Sequence, residues 1–335
     1  MSHLITKPLK IFILLIAVLT LTEVAYRNNL VNFHSGTFED LNPGEKPGDT
    51  AEKPVVLVLG DEVSASGSGY VEALRGKFPD HLIINGAIPY SGPVEASWTG
   101  EKLIKKYNPD ILIYQVNPAN DLYNIRKGND LDEAGFFSAI TDYLSDEIKT
   151  FDYISGTFNS VFDNMSGAKL AKIEPDCLPV AQQLEFSTKS GTTVEPQKGL
   201  IEYSSLLKSG RDQDMEEMLQ ILDDLFCKVK KDCRVLLTVV PHSTWVNGWY
   251  REQMLRSGNH MSEEFMRFSG NMPFMQQIRN HIFANSRVKI VDPATSLKTS
   301  DRKERRMYNV ASDQLNKRGH EVLAGFLSSY IRYSY

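Results

Sequence analysis

The sequence predicts an α/β protein: three layers, α/β/α, around a five-stranded and mainly parallel sheet, with helical insertions. Three observations predict it. Short apolar runs rich in β-branched residues recur between about residue 55 and about residue 294, several end in turn-forming residues such as Gly60-Asp61, and segments of helical periodicity lie between them. Val55-Val-Leu-Val-Leu59 shows no polar alternation, the pattern of a strand covered on both faces. Leu82-Ile-Ile84, Ile111-Leu-Ile-Tyr114, Val235-Leu-Leu-Thr-Val-Val240 and Val288-Lys-Ile-Val291 supply the other four strands. Between them, Val94 to Tyr107 reads as a helix. Met215, Met218, Leu219, Leu222, Leu225, Phe226 and Val229 keep amphipathic spacing for a second. His320 to Tyr330, opened by Lys317-Arg-Gly319, forms the last, with Val322, Leu323, Phe326 and Leu327 inward. Ligands of such folds sit beyond the carboxyl ends of the strands. That rule gathers Asp61, Glu62, Tyr90 and Asn120 at one cleft.

A chain of 335 residues accommodates one large domain or two small ones. No linker separates the strand runs, so one domain is expected over residues 55–335, with insertions at about 122–212 and 245–286. The first insertion carries Phe136, Phe137, Tyr143, Phe151, Tyr153, Phe158 and Phe162 among Gly, Ser, Asn and Thr, and emerges beside the cleft as a candidate lid or docking surface. The second holds Trp245, Trp249, Met254, Met261, Met266, Met272 and Met275, a composition expected of core packing.

Residues 1–27 read as a signal anchor. Lys7 and Lys10 precede the apolar run Ile11 to Leu21, and extension to Tyr26 gives about 24 Å of helix at ~1.5 Å per residue. Glu23 and Arg27 lie one turn apart, where a snorkelling pair marks a membrane surface, and no small-x-small cleavage site follows. The lysines place the amino terminus in the cytoplasm and the domain outside it, with secretion after signal cleavage as the alternative. Residues 28–54, with Pro43, Gly44, Pro47, Gly48 and Pro54, read as a linker.

Cys227 and Cys233 are close enough to close a small loop in an oxidising compartment, leaving Cys177 over; unpaired thiols are an equal alternative. Neither a CxxC nor a histidine pair completes a zinc site, so no metal and no cofactor is expected. A net charge of −5, with no basic run longer than pieces such as Arg302 to Arg306, excludes nucleic acid as a partner.

Four segments carry the chemistry. Val56-Leu-Val-Leu-Gly-Asp-Glu-Val-Ser-Ala-Ser-Gly67 is a strand running into Gly-Asp, with Glu62 next. Ile84-Asn-Gly-Ala-Ile-Pro-Tyr-Ser-Gly92 follows the second strand. Pro109-Asp-Ile-Leu-Ile-Tyr-Gln-Val-Asn-Pro-Ala-Asn-Asp-Leu122 ends the third in Asn120-Asp121, and Ser312-Asp-Gln-Leu-Asn-Lys-Arg-Gly-His-Glu-Val-Leu-Ala324 opens the last helix. In order, these resemble the sequence blocks of the SGNH (GDSL-like) hydrolases, in particular the bacterial membrane-anchored members associated with polysaccharide acylation and deacylation. The match spans most of residues 55 to 330. The resemblance implies the SGNH, flavodoxin-like three-layer fold and a bacterial inner-membrane protein whose domain faces the periplasm, with a polysaccharide or an envelope protein as partner.

The family's ester chemistry uses a serine, a histidine base oriented by an aspartate, and oxyanion donors from backbone and asparagine. Carried over by position, the serine falls on Glu62, the donor glycine on Tyr90 or, with a slip, Gly92, and the asparagine on Asn120 with Asp121 behind it. The base falls on Gln314, which cannot shuttle a proton near neutral pH. The orienting aspartate falls on Ala311 or Ser312, with Asp313 adjacent but out of register. His320 matches the family's Gly-His, which follows the catalytic histidine, and is expected to pack locally. His242, in Pro241-His-Ser243, is placed to reach the cleft but shows no partner in the sequence. Ser64, Ser66 and Ser68 lie on a turn loosened by Gly67 and Gly69. The expectation is a binding or scaffold module that has lost hydrolysis, with Asp61, Glu62, Tyr90, Asn120, Asp121, His242 and Gln314 around its pocket. The alternative is an active esterase, acyltransferase or glycan-processing enzyme working around Glu62, with Asp61 or Asp121 as companion.

Overall fold

The structure, a computed structural model, describes residues 21, 35–43, 53–89, 91–126, 199–256, 261–310 and 313–332. Most of these belong to one compact unit, residues 37–125 and 173–335; the other unit, residues 1–36 and 126–172, contributes only Leu21, Ser35, Gly36 and Arg126. Among the described residues no helix is long and apolar enough to cross a membrane. The apolar run from Ile11 to Tyr26 apart from Leu21, together with Tyr90, Cys177 and most of the first insertion, lies outside the described residues.

The chain runs through α1 (Ser35–Leu41), β1 (Val55–Leu59), α2 (Tyr70–Lys77), β2 (Leu82–Asn85), α3 (Pro93–Tyr107), β3 (Ile111–Val116) and α4 (Pro118–Arg126). After the undescribed stretch come α5 (Leu200–Leu206), α6 (Arg211–Phe226), β4 (Arg234–Val239), α7 (Ser243–Val246), α8 (Gly248–Arg256), α9 (Glu263–Arg267), α10 (Pro273–Asn280), β5 (Val288–Val291), α11 (Ala294–Ser300) and α12 (Lys317–Arg332). The strands form one sheet in the order β2-β1-β3-β4-β5, and every pairing is parallel. All five strands fall where the apolar runs predict them.

Strand periodicity divides the core into two layers. Val55, Leu57, Leu59, Leu112, Tyr114, Val116, Val235 and Leu237 pack with α3, α6 and α10 on one face. Val56, Val58, Ile83, Ile111, Ile113 and Leu236 pack with α2 and α12 on the other. Full burial of one such Val, Leu or Ile is worth roughly 1.5–3 kcal/mol, and a parallel strand buried on both faces collects it at each residue. The edge strand β5 differs: its Lys289 is exposed, which protects an open edge from pairing with another chain.

The second insertion is packed into the domain. Met254, Phe265 and Met272 join Ile201 and Leu206 in a small core of their own, while Phe274 and Met275 reach the main one. Arg251 is buried beneath it, donating through Nη1 to the carbonyls of Phe265, Met266 and Phe268 and through Nε to that of Thr244. It thereby satisfies the carbonyls that the end of a short helix leaves open. Cys227 is exposed and Cys233 buried, and both are free thiols, so the small-loop disulfide does not form; burial pushes the Cys233 thiol up to about 12.

Candidate functional site

β1 is flanked by β2 and β3, so the chain leaves it in opposite directions and opens a crevice beyond the carboxyl ends of β1 and β3. Gly60 ends β1 at φ +151°, and a Cβ there would lie 2.6 Å from Gln115 Oε1. The turn therefore folds tightly over Gln115, whose Oε1 accepts from the Asp61 N–H (3.3 Å) and from Ser64 Oγ (2.9 Å). Asp61 is 1% exposed; its Oδ1 accepts from the Val63 N–H at 3.1 Å, closing the turn. Burial raises the Asp61 carboxyl above the usual range, against hydrogen bonds from Val63 and Asn120 that lower it.

Glu62, the next residue, turns its carboxylate toward the loop after β3. Asn117 Nδ2 donates to Oε1 at 3.3 Å and Asn120 Nδ2 to Oε2 at 3.4 Å. The same Asn120 nitrogen also lies 3.1 Å from Asp61 Oδ2 and 3.2 Å from the Ser91 carbonyl. Two protons thus face three acceptors, two of them carboxylate oxygens. Pro118 opens α4, and the Asn117 N–H before it donates to Asp121 Oδ2 at 2.9 Å. Asp121 is buried, and its carboxyl is pushed well above the usual range by burial first and by the Asp61 charge second.

His242 enters from the third element of the crevice, the end of β4. Its backbone is fixed by Pro241, whose carbonyl accepts from Tyr308 Oη at 2.6 Å. The imidazole is 7% exposed, lies edge-on to Trp245, and its Nδ1 stands 2.7 Å from Asp313 Oδ2. Asp313 Oδ1 accepts from the Ser243 N–H at 3.0 Å, so one carboxylate both caps α7 and orients the ring. Nδ1 is turned to Asp313, and among the described residues the ring's other nitrogen, the buried Nε2, has no hydrogen-bond partner.

Asp313 sits at φ +54° in a loop held by bonds between Tyr308 and Leu315, Asn309 and Gln314, and Asn316 and Met307. Tyr250 Oη anchors that loop by accepting from the Met307 and Tyr308 N–H groups and donating to Asp301.

These groups border one cavity of about 300 Å³. Glu62, Asn117, Asn120, His242, Asp313 and Gln314 line it together with Leu200 and Ile201 from the end of the first insertion. Asp61 and Asp121 sit behind that wall, joined to it through Asn120 and Asn117. Sequence reasoning missed Asn117 and the His242–Asp313 pair. The two residues of the pair are 71 positions apart, and no spacing rule connects a strand-end histidine to a loop aspartate.

The remaining candidates lie elsewhere or are committed. Ser64 is fully buried, with Oγ 2.7 Å from Tyr70 Oη, so it offers no nucleophile. His320 stacks on Tyr70 with ring centroids 6.3 Å apart, and Nδ1 accepts from the Tyr70 N–H at 3.3 Å. Its packing is long-range, across the start of α2, where a local contact was expected. Among the described residues no cluster of His, Cys, Asp and Glu has the arrangement of a metal site.

The residues at the crevice define an α/β/α protein whose cleft pairs a carboxylate at the turn after β1 with a carboxylate-oriented histidine at the end of β4. Its backbone is similar to a lipase from a goat rumen metagenome (12% identity, 83% of this chain and 97% of that one, TM-score 0.39). It is also similar to the lipase/acylhydrolase of Enterococcus faecalis (10% identity, 84% and 96%, TM-score 0.39) and to an alpha/beta hydrolase enzyme from the metagenome of Lake Arreo (12% identity, 84% and 97%, TM-score 0.36). No protein-family model matches the sequence, and no curated protein is similar to it. The functional reading therefore rests on the residues described above.

Proposed function

We propose that this chain is a membrane-tethered, extracytoplasmic binding module on an SGNH-hydrolase-like scaffold, whose cleft holds a ligand and does not cleave esters. The observation that carries the reading is the state of Asn120. In an esterase that amide would stabilise a developing oxyanion; here it lies against the carboxylates of Asp61 and Glu62. An acyl oxyanion brought to the same place would meet two negative groups in a poorly solvated wall. Glu62 itself stands where the serine would be, and Gln314 where the base would be. Lys7, Lys10 and the apolar run to Leu21 support a membrane anchor with the domain on the far side from the cytoplasm; the bacterial envelope and its polysaccharide modification as the setting rest on the resemblance of the four sequence blocks to the anchored SGNH members alone.

The test is an assay of the purified full chain, in mild detergent, on chromogenic acetyl esters and acetylated glycans. Release at the rate of the protein-free blank is expected. Turnover that disappears in Glu62→Gln would overturn the reading. An alkaline phosphatase fusion after Tyr335 tests the topology: activity in intact cells is expected, and its absence would place the domain inside.

The His242–Asp313 contact favours a second reading, acid–base catalysis on a saccharide. A buried imidazole held through Nδ1 at 2.7 Å, with Nε2 unpartnered among the described residues, has the arrangement of a general base, and Glu62 borders the same cavity as a second carboxyl group. Glycan turnover lost in His242→Gln while esters stay untouched would select this reading over the first.

A further inference from the structure

The charges around the cleft are already matched by the protein. The Glu62 carboxylate accepts from Asn117 and Asn120, and that of Asp313 faces His242 and the Ser243 N–H. Among the described residues the lining includes no Lys or Arg to meet an anion. Three polar groups of the lining, each from a different element, have hydrogen-bonding capacity left. Tyr123 Oη on α4 and the Gln314 side-chain amide in the loop before α12 take part in no hydrogen bond among the described residues. His242 Nε2 at the end of β4 is likewise unpartnered there, on a side chain only 7% exposed.

These three groups share one property. A phenol both donates and accepts, a carboxamide does so through its two ends, and an imidazole nitrogen does either according to its protonation. A hydroxyl, itself donor and acceptor, satisfies all three. An ammonium, which only donates, or a carboxylate, which only accepts, matches part of the set and finds no uncommitted countercharge. Around them the lining includes Val63, Ala119, Leu200, Ile201 and Leu315, apolar surface suited to the flat face of a ring, and a cavity of about 300 Å³ lies at the lower end for small-molecule sites.

We propose, on the basis of the binding reading, that the cleft takes an uncharged, polyhydroxylated ring of monosaccharide size, its hydroxyls bonded to Tyr123 Oη, the Gln314 amide and His242 Nε2. Tyr123 and Gln314 are thereby the residues that set specificity at the mouth. Gln314 is exposed and Tyr123 half-buried, so either is replaced without opening the core.

The experiment is ligand-observed NMR titration of the full chain in mild detergent, at slightly acidic pH, with D-glucose, D-glucosamine and D-glucuronate, rings of one size that differ in charge. Glucose is expected to bind about tenfold tighter than either charged ring, and Gln314→Ala and Tyr123→Phe are each expected to weaken it several-fold, up to about tenfold. Comparing the three sugars on the unaltered chain needs no variant to fold. A charged ring that binds as tightly as glucose, an affinity unchanged in either variant, or no saturable glucose binding would each overturn the proposal. Failure of the underlying reading shows separately, as release from chromogenic acetyl esters above the blank rate in the same preparation.

Discussion

Replacing His320 by Phe keeps a ring against Tyr70 and removes a titratable base from the interior. The imidazole is 7% exposed, and burial pushes its pKa from the usual 6.5 down to about 4. Between those values the unfolded chain binds a proton that the folded one refuses, so the folded state is favoured above pH 6.5 and loses that advantage as pH falls toward about 4. At 1.36 kcal/mol per pH unit, the interval corresponds to roughly 3 kcal/mol. Protonation at Nδ1 would also break the bond from the Tyr70 N–H. Asp61 and Asp121 act in the opposite sense, because burial raises their carboxyls and the folded state then holds protons more tightly as pH falls. A difference between two proteins cancels that contribution. Urea denaturation of the full chain and of His320→Phe, repeated from pH 4 to pH 8, measures it. Near pH 7 the variant should be weaker by about 1–3 kcal/mol, the cost of stranding the Tyr70 N–H. By pH 4 the gap should close or reverse. A gap that stays constant across the range would refute the assignment of His320 as a buried neutral base.

Gly60→Ala places a Cβ at φ +151° and 2.6 Å from Gln115 Oε1. It should cost roughly 2–4 kcal/mol in chemical denaturation, and a loss below half of that would contradict the tight turn under Glu62. Asn42 pairs with both backbone groups of Asn85 on the open side of β2, Oδ1 accepting from its N–H and Nδ2 donating to its carbonyl, each at 2.8 Å. Asn42→Ala should cost about 2–4 kcal/mol by the same measurement, with faster amide exchange at Asn85. Asp313→Asn tolerates the left-handed backbone but weakens both bonds of the carboxylate. A loss of about 1–3 kcal/mol is expected. Nitrogen NMR of the His242 ring should show Nδ1–H as the dominant tautomer in the parent and a mixture in the variant; an unchanged ring would contradict its orientation by Asp313.

The sheet was legible because burial on both faces writes itself into composition: Val55 to Leu59 has no polar position to hide. The helix α2 was not, since Tyr70, Val71 and Leu74 make only a short apolar stripe, preceded by glycines that read as loop. Met and Trp in the second insertion pointed to packing, and Met254 and Met272 are buried in a small core. At the site, Asp61, Glu62 and Asn120 were readable because each follows a strand at a predictable end. The partner of His242 was hidden by chain distance. Asp313 lies one position from where the family resemblance looks for an aspartate, and it reaches His242 because a left-handed residue and the Tyr250 anchor turn that loop toward β4.

Whether the cleft holds or cuts is tested most directly by intact-mass spectrometry of the full chain mixed at high concentration with a chromogenic acetyl ester, with colour release followed in the same sample. The expected result is an unmodified chain and release at the blank rate, because Glu62 and Asn120 leave neither a nucleophilic hydroxyl nor a free oxyanion donor at the end of β1. An acetyl adduct that forms faster than the blank and is absent from Glu62→Gln would contradict it.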